Sequence, residues 1–425
     1  MAEIKPFRGV RFDTDKAGDM QELICPPYDI ISASQREEFI EKNPHNIVRL
    51  ELPAAEDDSD NPYETASRRL NEWIAEGIMV REEKPSLYIY EEQYTLHDET
   101  RSIRGILGLV KLEEFSSGVI LPHEKTLSKP KDDRLNLLRA TNTNMSTIYS
   151  LYSDNGRRTS LKMDTLTGHA PDVEVSEGKI VHRLWVVSDE TEISAICRDF
   201  EKRTLYIADG HHRYETSLNY RNECRAKGAP EGSACDYTMM LLVNMDDQQF
   251  SLFPTHRLIK NAPNFDVKSI IAALDKNFRV DEHRGISGIK PTLNEYYNMG
   301  RKATVWYVGN DTWYLLKLRS TSEAMDEVMP TCSDALKTLD ISIIHALVLD
   351  EIMHCNNEDC VNYTRSFTQA INSVDSGEYQ SCFILNPTRI TQIKDIVEAG
   401  EKMPQKSTYI YPKPTTGLVI NVFED

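Results

Sequence analysis

An apolar run that stops at Asp209-Gly210 and restarts as a helical pattern is the feature that most constrains this fold. Residues 205–208 have the length and composition of a buried strand. Beyond the glycine, Tyr214 and Leu218 recur at helical spacing, and Gly228 is placed to end a helix. The sequence therefore predicts a strand, a tight turn and a helix.

The residues of this turn suit an anion. The first turn of a helix has unpaired backbone N–H groups and carries the positive end of the helix dipole. His211, His212 and Arg213 stand where their side chains would add to this potential around Gly210. Asp209 is acidic at the same place, and an acid helps a phosphate site only when it holds a metal ion or takes a proton. The combination favours phosphate chemistry over phosphate storage.

A purely structural interpretation of the turn is also open. Glycine tolerates the backbone angles that such a turn needs, aspartate often caps helices, and Asp-Gly pairs are common in turns. The two histidines and the arginine directly after the pair weigh in favour of a functional role.

Composition bounds the class of protein. The chain has 425 residues, 27% of them charged and 40% hydrophobic, which is an ordinary balance for two or three globular domains. A formal net charge of −18 argues against a surface for duplex nucleic acid, because phosphate contacts need clustered lysine and arginine. No apolar stretch reaches signal-peptide or membrane-span length, so we expect a cytoplasmic protein with no membrane partner. Reduced thiols are expected for the eight dispersed cysteines.

The order of predicted elements gives an α+β fold. We expect a larger N-terminal domain over residues 1–260 and a smaller α+β C-terminal domain over residues 261–425 that contributes to the same cleft. Two early features are a strand over 46–52 and a short helix opened by a capping box at Ser34-Gln-Arg-Glu37. A strongly apolar helix is predicted over 341–353.

Another cation-rich stretch follows Pro122. The candidate ligands there are His123, Lys125, Thr126 and Arg134, with Glu124 among them. Glu124 is the better catalytic candidate, since a carboxylate among cations can stay ionised and accept a proton from a hydroxyl. A solvated loop before a helix is the alternative interpretation of the lysines.

Three further segments carry similar chemistry. Tyr28 and Asp29 follow two prolines and form either a pocket wall or only a rigid turn. His256 and Arg257 lie just past a strand-like run and repeat the chemistry of the central turn. Near the C-terminus several residues offer anion ligands around a Pro-flanked strand, although an ordinary edge strand is the alternative: Lys406, Ser407, Thr408 and Lys413.

With these motifs the chain resembles an uncharacterised bacterial and archaeal family, domain of unknown function 1015. The resemblance extends in order over nearly the full length and rests on five motifs: Cys25-Pro-Pro-Tyr-Asp, Pro122-His-Glu-Lys-Thr, Ala208-Asp-Gly-His-His-Arg-Tyr-Glu, Pro254-Thr-His-Arg and Met403-Pro-Gln-Lys-Ser-Thr. It implies little about function, because the family has no settled activity.

The turn itself is similar to the phosphate-binding turn of the ParB and sulfiredoxin superfamily, which includes a free serine kinase. The resemblance implies a mixed-sheet, ParB/sulfiredoxin-like N-terminal domain in which His211, His212 and Arg213 hold nucleotide phosphates. It also implies that Asp209 binds magnesium or assists the substrate hydroxyl. The chain lacks the Cys-His-Arg turn of sulfiredoxin, which disfavours sulfinic-acid reduction, and it is too acidic for the DNA-binding role of ParB.

These observations lead to three hypotheses. The first is a nucleotide-dependent phosphotransferase that uses Mg²⁺ with ATP, ADP or CTP and acts on a small hydroxylated metabolite, for which the resemblance implies free serine. Glu124, Asp209 and His211 would be catalytic, and the cationic segments would converge on one pocket floored by the histidine pair. The second is a non-catalytic sensor of a nucleotide or phosphometabolite. The third, a metal-dependent hydrolase, is disfavoured because the histidines lack His-Glu-x-x-His spacing.

Overall fold

The computed structural model describes residues 2–55, 61–96, 98–124, 129–247 and 249–424. The chain divides into two compact units. The first unit comprises Met1–Pro122, Thr126–Ser251 and Pro412–Asp425, and the second comprises His123–Lys125 and Leu252–Tyr411. The division at residue 260 and the roles assigned to the two domains stay predictions.

Among the described residues of the first unit, nine strands form one mixed sheet in the order β6-β11-β8-β12-β5-β4-β10-β9, with β1 also paired to β5. β11 runs parallel to β6 and β12 runs parallel to β8, and the other pairs are antiparallel. The strands as far as β12 are β1 Ile4–Lys5, β2 Val10–Phe12, β3 Met79–Arg81, β4 Leu87–Leu96, β5 Glu99–Lys111, β6 Ile120–Pro122, β7 Thr143–Asn144, β8 Ile148–Tyr152, β9 Val173–Glu177, β10 Ile180–Val187, β11 Leu205–Asp209 and β12 Tyr237–Asn244.

Helices cover this sheet because their apolar sides pack on the strands. Ile196 and Phe200 share a buried cluster with Leu242 of the central strand β12. The helices are α1 Thr14–Ala17, α2 Met20–Leu23, α3 Ala33–Lys42, α4 Val48–Glu51, α5 Pro62–Ala75, α6 Lys129–Thr141, α7 Arg158–Leu166, α8 Glu190–Phe200 and α9 His211–Ala226. None of the described helices is both long and apolar enough to cross a membrane.

The described part of the second unit contains a six-stranded antiparallel sheet in the order β15-β17-β16-β19-β14-β18. The remaining strands of the chain are β13 Ser251–Leu252, β14 His256–Ile259, β15 Phe278–Arg284, β16 Thr304–Tyr307, β17 Thr312–Leu318, β18 Val361–Thr364, β19 Ser381–Ile384, β20 Ile410–Tyr411 and, back in the first unit, β21 Asn421–Val422. The helices are α10 Val267–Leu274, α11 Ile289–Asn298, α12 Thr321–Val328, α13 Asp334–Lys337, α14 Asp340–Ile343, α15 Phe367–Asp375 and α16 Ile390–Glu398.

The large mixed sheet and the separate antiparallel sheet, each with helices, confirm the α+β prediction. The ParB/sulfiredoxin-like assignment of the N-terminal domain stays a prediction. The strand–turn–helix prediction at Asp209-Gly210 is also confirmed, since β11 ends at Asp209 and α9 begins at His211.

Two local predictions are wrong, and a third is correct as a helix but differs in helix type. The strand expected over 46–52 is helix α4, because the side chain of Asn46 accepts the N–H of Val48 at 2.9 Å and turns the chain. The capping box belongs to Ser32 and Gln35, because two Ser-x-x-acid/amide patterns overlap there and α3 starts at the earlier one. The apolar helix over 341–353 is α14 followed by a π-helix, Ile344–Asp350.

Candidate functional site

The turn at Gly210 is fixed by the packing of α9. Tyr214 is fully buried in the core of the first unit, and its hydroxyl donates to the carbonyl of Glu113 at 2.7 Å. Gly210, with φ of 89°, occupies the N-cap position, where it offers no side chain to accept the first N–H groups of the helix. The 16-residue helix α9 therefore has no side-chain cap, whereas the side chain of Asp189 caps α8.

Two cations hold the carboxylate of Asp209. Its Oδ2 lies 2.7 Å from the guanidinium of Arg213, and its Oδ1 lies 2.9 Å from Nζ of Lys413. Burial would raise the pKa of Asp209, but the charges of Lys413, Arg213 and His211 outweigh it and hold that pKa well below its usual range. Asp209 is therefore ionised at neutral pH, with each oxygen already bonded to a cation.

Lys413 joins the turn to the N-terminal motif. Its Nζ lies 2.6 Å from Oδ2 of Asp29, and its side chain is only 7% exposed. Burial lowers the pKa of Lys413, but Asp209 and Asp29 raise it further, so the net shift is upward. The ring of Tyr28 lies beneath the guanidinium of Arg134 at 4.3 Å and near that of Arg213 at 6.0 Å. Tyr28 and Asp29 thus line the turn and are more than a rigid bend.

Arg213 has one donor that no described residue accepts. One terminal nitrogen donates to the carbonyl of Thr147 and the other to Asp209, while the buried Nε has no hydrogen-bond partner among the described residues. The guanidinium lies over Gly210, where an added Cβ would come within 3.0 Å of Nε. Glycine at this position is therefore required both by its backbone angle and by the arginine.

The two histidines differ in exposure. His211 is buried at the start of α9 and adds to the positive potential at Asp209, whereas His212 is half-buried. Both occupy the first turn of the helix, as predicted.

Arg134 is committed to neighbouring structure. It donates to the carbonyl of Glu51 at 2.7 Å and to Asp133 at 2.6 Å, and it lies 3.7 Å from the Glu51 carboxylate. Burial raises the pKa of Glu51, which accepts the hydroxyl of Ser146 at 2.8 Å. A cavity of about 50 Å³ adjoins this group, and its polar lining residues include Glu51, Arg134, Ser146, Arg213, Thr216 and Ser217. Sequence patterns gave no signal for Glu51 or Ser146.

In the second unit, the residues after Pro122 pair with the motif that begins at Met403. Nε2 of His123 lies 2.6 Å from Oγ1 of Thr408, and the carbonyl of His123 accepts the N–H of Met403 at 2.8 Å. Oε1 of Glu124 accepts the N–H of Lys406 at 2.6 Å. The structure therefore brings together four predicted site residues of this unit: His123, Glu124, Lys406 and Thr408.

Arg257 stabilises this motif through hydrogen bonds. It follows the strand β13, as expected, lies itself within β14, and donates to the carbonyls of Thr255 and Lys406 and to Nε2 of His345. Burial lowers the pKa of Arg257 to about 10 and that of His345 to about 3, so His345 is neutral. Burial likewise lowers the pKa of His256 to about 4.

Ser407 also turns inward, because its hydroxyl donates to the carbonyl of Pro404 at 2.5 Å. Lys125 and Thr126, two predicted ligands, lie outside the described residues. The convergence of all these segments on one pocket stays a prediction, as do the individual roles.

The fold and these contacts define an α+β protein whose candidate site is a cation-lined turn at the start of a helix. The chain belongs to the family described as "Protein of unknown function (DUF1015)", whose model matches residues 4–342. This confirms the family resemblance predicted from the five motifs. No curated protein matches the chain.

The chain also has a weak likeness to several solved structures. A free serine kinase in complex with AMP has 14% identity and a TM-score of 0.34, covering 71% of this chain and 89% of its own. A conserved hypothetical protein from Pyrococcus furiosus has 13% identity and a TM-score of 0.36, with coverage of 72% and 92%. C-terminally truncated SbnI from Staphylococcus aureus has 12% identity and a TM-score of 0.38, with coverage of 74% and 87%.

Replacing Gly210 by alanine tests the role of the turn. The left-handed backbone alone costs about 1–2 kcal/mol for an alanine. Gly228→Ala is the matched control, because its φ is 97° and an added Cβ would meet nothing within 4 Å. We expect Gly210→Ala to lower the free energy of unfolding by about 1 kcal/mol more than the control, since it also displaces a charged hydrogen-bonded group. Urea denaturation measures both, and equal losses would contradict this account.

The Asp209 ion pairs predict a pH dependence of stability. The pKa of Asp209 is lower in the folded protein than in the unfolded chain, so its contribution is complete above the unfolded value of about 3.9. It is lost as the pH falls through the lower, folded pKa. We expect the difference in unfolding free energy between wild type and Asp209→Asn to be largest near neutrality and to shrink below about pH 4. A difference that stays constant from neutral to acidic pH would refute the ion pairs.

Proposed function

We propose that the turn at Gly210 binds the phosphates of a nucleotide and that the protein is a nucleotide-dependent phosphotransferase acting on a small hydroxylated metabolite. The observation that carries the proposal is a buried hydrogen-bond donor that has no acceptor among the described residues and lies at the start of a helix. The buried Nε of Arg213 has no acceptor among the described residues, and it lies beside a helix N-terminus that no N-cap side chain satisfies. Such donors suit the oxygens of a phosphate.

The charges of the turn support the same conclusion. Phosphoryl transfer depends mainly on positioning and on neutralising the charge of the transferred group. Arg213 and Lys413 are cations whose places are fixed beforehand by Asp209 and Asp29. Together with His212 they would meet the phosphates of ATP, ADP or CTP. The support lies in these contacts and not in the weak likeness to the free serine kinase, from which serine enters only as the first acceptor to test.

Magnesium held by Asp209 does not fit this arrangement. Both oxygens of its carboxylate are bonded to cations, and no group of three or more metal-ligating side chains occurs among the described residues. We therefore assign Asp209 a positioning role toward Arg213 and Lys413. The same observation favours a second candidate function, a nucleotide sensor that binds without turnover, because Asp209 is not free to take a proton. It gives no support to a metal-dependent hydrolase.

Glu124 is the proposed proton acceptor. The backbone N–H of Lys406 donates to Oε1 of Glu124 and fixes the orientation of the carboxylate. A carboxylate held in this way can accept a proton from a substrate hydroxyl. Loss of a general base typically lowers turnover by about 10²–10⁴-fold.

Nucleotide binding tests the proposal first. We expect wild-type protein to bind ADP in calorimetric titration, and Arg213→Ala to weaken binding by about 10- to 100-fold, since a charge-assisted hydrogen bond contributes about 1.5–3 kcal/mol. Arg221→Ala is the matched control, because this arginine lies on the same helix and pairs with Glu114 away from the turn. Equal affinity for wild type and Arg213→Ala would exclude the turn as the phosphate site.

Turnover separates the enzyme from the sensor. Wild-type protein is incubated with ATP, ADP or CTP and a panel of hydroxylated metabolites that includes serine. Phosphorylated product is detected by ³¹P nuclear magnetic resonance spectroscopy. The phosphotransferase predicts product with wild type and a loss of at least about 100-fold with Glu124→Gln at unchanged nucleotide affinity. Tight nucleotide binding without product from any acceptor would instead support the sensor.

A further inference from the structure

A buried polar group lies within the sheet of the first unit, away from the turn. Tyr90 and Glu92 stand on β4 and His182 on β10, and each is at most 3% exposed. The Tyr90 hydroxyl lies 2.7 Å from Nδ1 of His182, and Nε2 of His182 lies 3.3 Å from Glu177. Burying such groups is unfavourable unless they are bonded, so their presence in a core requires a reason.

The Tyr90 hydroxyl links the backbone of Thr415 to the ring of His182. The backbone N–H of Thr415 donates to the Tyr90 oxygen at 3.1 Å, and the same hydroxyl shares a hydrogen bond of 2.7 Å with Nδ1 of His182. Glu92 lies 3.9 Å from Nδ1, and burial raises its pKa to about 8, so it is protonated at neutral pH and adds no charge there.

Thr415 is in turn attached to the N-terminal motif. Its hydroxyl donates to the carbonyl of Cys25 at 2.9 Å, and the backbones of Cys25 and Thr416 exchange hydrogen bonds of 3.1 and 2.8 Å. Cys25 leads into the segment that carries Asp29, and Thr415 ends the segment that carries Lys413. The pairing of these two short segments is what brings Asp29 and Lys413 to 2.6 Å.

The sequence around Lys413 makes the attachment rigid. Pro412 and Pro414 flank the lysine, so φ of both neighbours is fixed and the residue before each proline is confined to extended conformations. A fixed point at Thr415 therefore also fixes the backbone of Lys413. The conformational freedom that remains for Lys413 lies mainly in its side-chain rotamers, and the contacts with Asp29 and Asp209 select among these rotamers.

We propose that Tyr90, oriented by His182, is a positioning residue that holds Lys413 at the turn. Its hydroxyl holds Thr415 in place, and the rigid proline-flanked segment then holds the backbone of Lys413 in place. The functional consequence, correct placement of Lys413 toward a phosphate, rests on the proposed function. The structural half of the proposal, that Tyr90 holds Thr415 in place, rests only on the contacts of Tyr90 and Thr415.

Tyr90→Phe removes one buried oxygen and leaves the ring in place. Tyr88→Phe is the matched control, because Tyr88 is a buried tyrosine on the same strand whose hydroxyl accepts the N–H of Gly9 at 2.8 Å. We expect Tyr90→Phe to speed amide hydrogen exchange at Thr415, and Tyr88→Phe to speed it at Gly9 but not at Thr415. Unchanged exchange at Thr415 in Tyr90→Phe would overturn the structural half.

Calorimetric titration with ADP tests the functional half. We expect Tyr90→Phe to weaken ADP binding about tenfold, a factor equal to about 1.4 kcal/mol, and Tyr88→Phe to leave it unchanged. In the Lys413→Ala background, Tyr90→Phe should have no further effect, because residues acting through one another are not additive. An undiminished effect in that background, or an equal effect of Tyr88→Phe, would overturn it. If wild type binds no ADP, the proposed function fails and the exchange measurement still decides the anchor.

Discussion

The carboxylate of Asp209, held between Arg213 and Lys413, is the interaction on which the candidate site depends. It joins the end of β11, the first turn of α9 and the C-terminal segment at one point. A partly buried carboxylate is costly without partners, and each of the two cations would be costly without it. Lys413 belongs to the C-terminal segment of the first unit, Pro412–Asp425, and contacts both Asp29 and Asp209 of that unit.

The local parts of this arrangement could be predicted from the sequence. The strand, the turn and α9 follow from an apolar run, a glycine and helical spacing, all of which lie within one short stretch. The strand predicted over 46–52 was wrong because its apolar residues fit either period, and the decision came from the side chain of Asn46. Capping-box spacing placed a helix correctly but chose the wrong one of two overlapping patterns, with Ser32 as the actual cap.

The contacts across long stretches of chain could not be predicted. Lys413 and Asp29 were both noticed as polar residues beside prolines, but one sequence holds no record that they pair. Glu51, Tyr90 and His182 gave no signal, since one polar residue within an apolar stretch of sequence cannot be distinguished from chance composition. In the second unit the sequence marked Glu124 and Lys406 separately, and the structure supplies the hydrogen bond between them. The pairing of these two motifs depends on the tertiary structure, and the sequence alone does not reveal it.

A crystal structure of the protein soaked with ADP would show whether the turn at Gly210 binds phosphate. We expect phosphate oxygens about 2.7–3.2 Å from first-turn amides of α9, with Arg213 and Lys413 as their side-chain donors. A nucleotide bound elsewhere, with Gly210 and the first turn of α9 bare, would contradict this expectation.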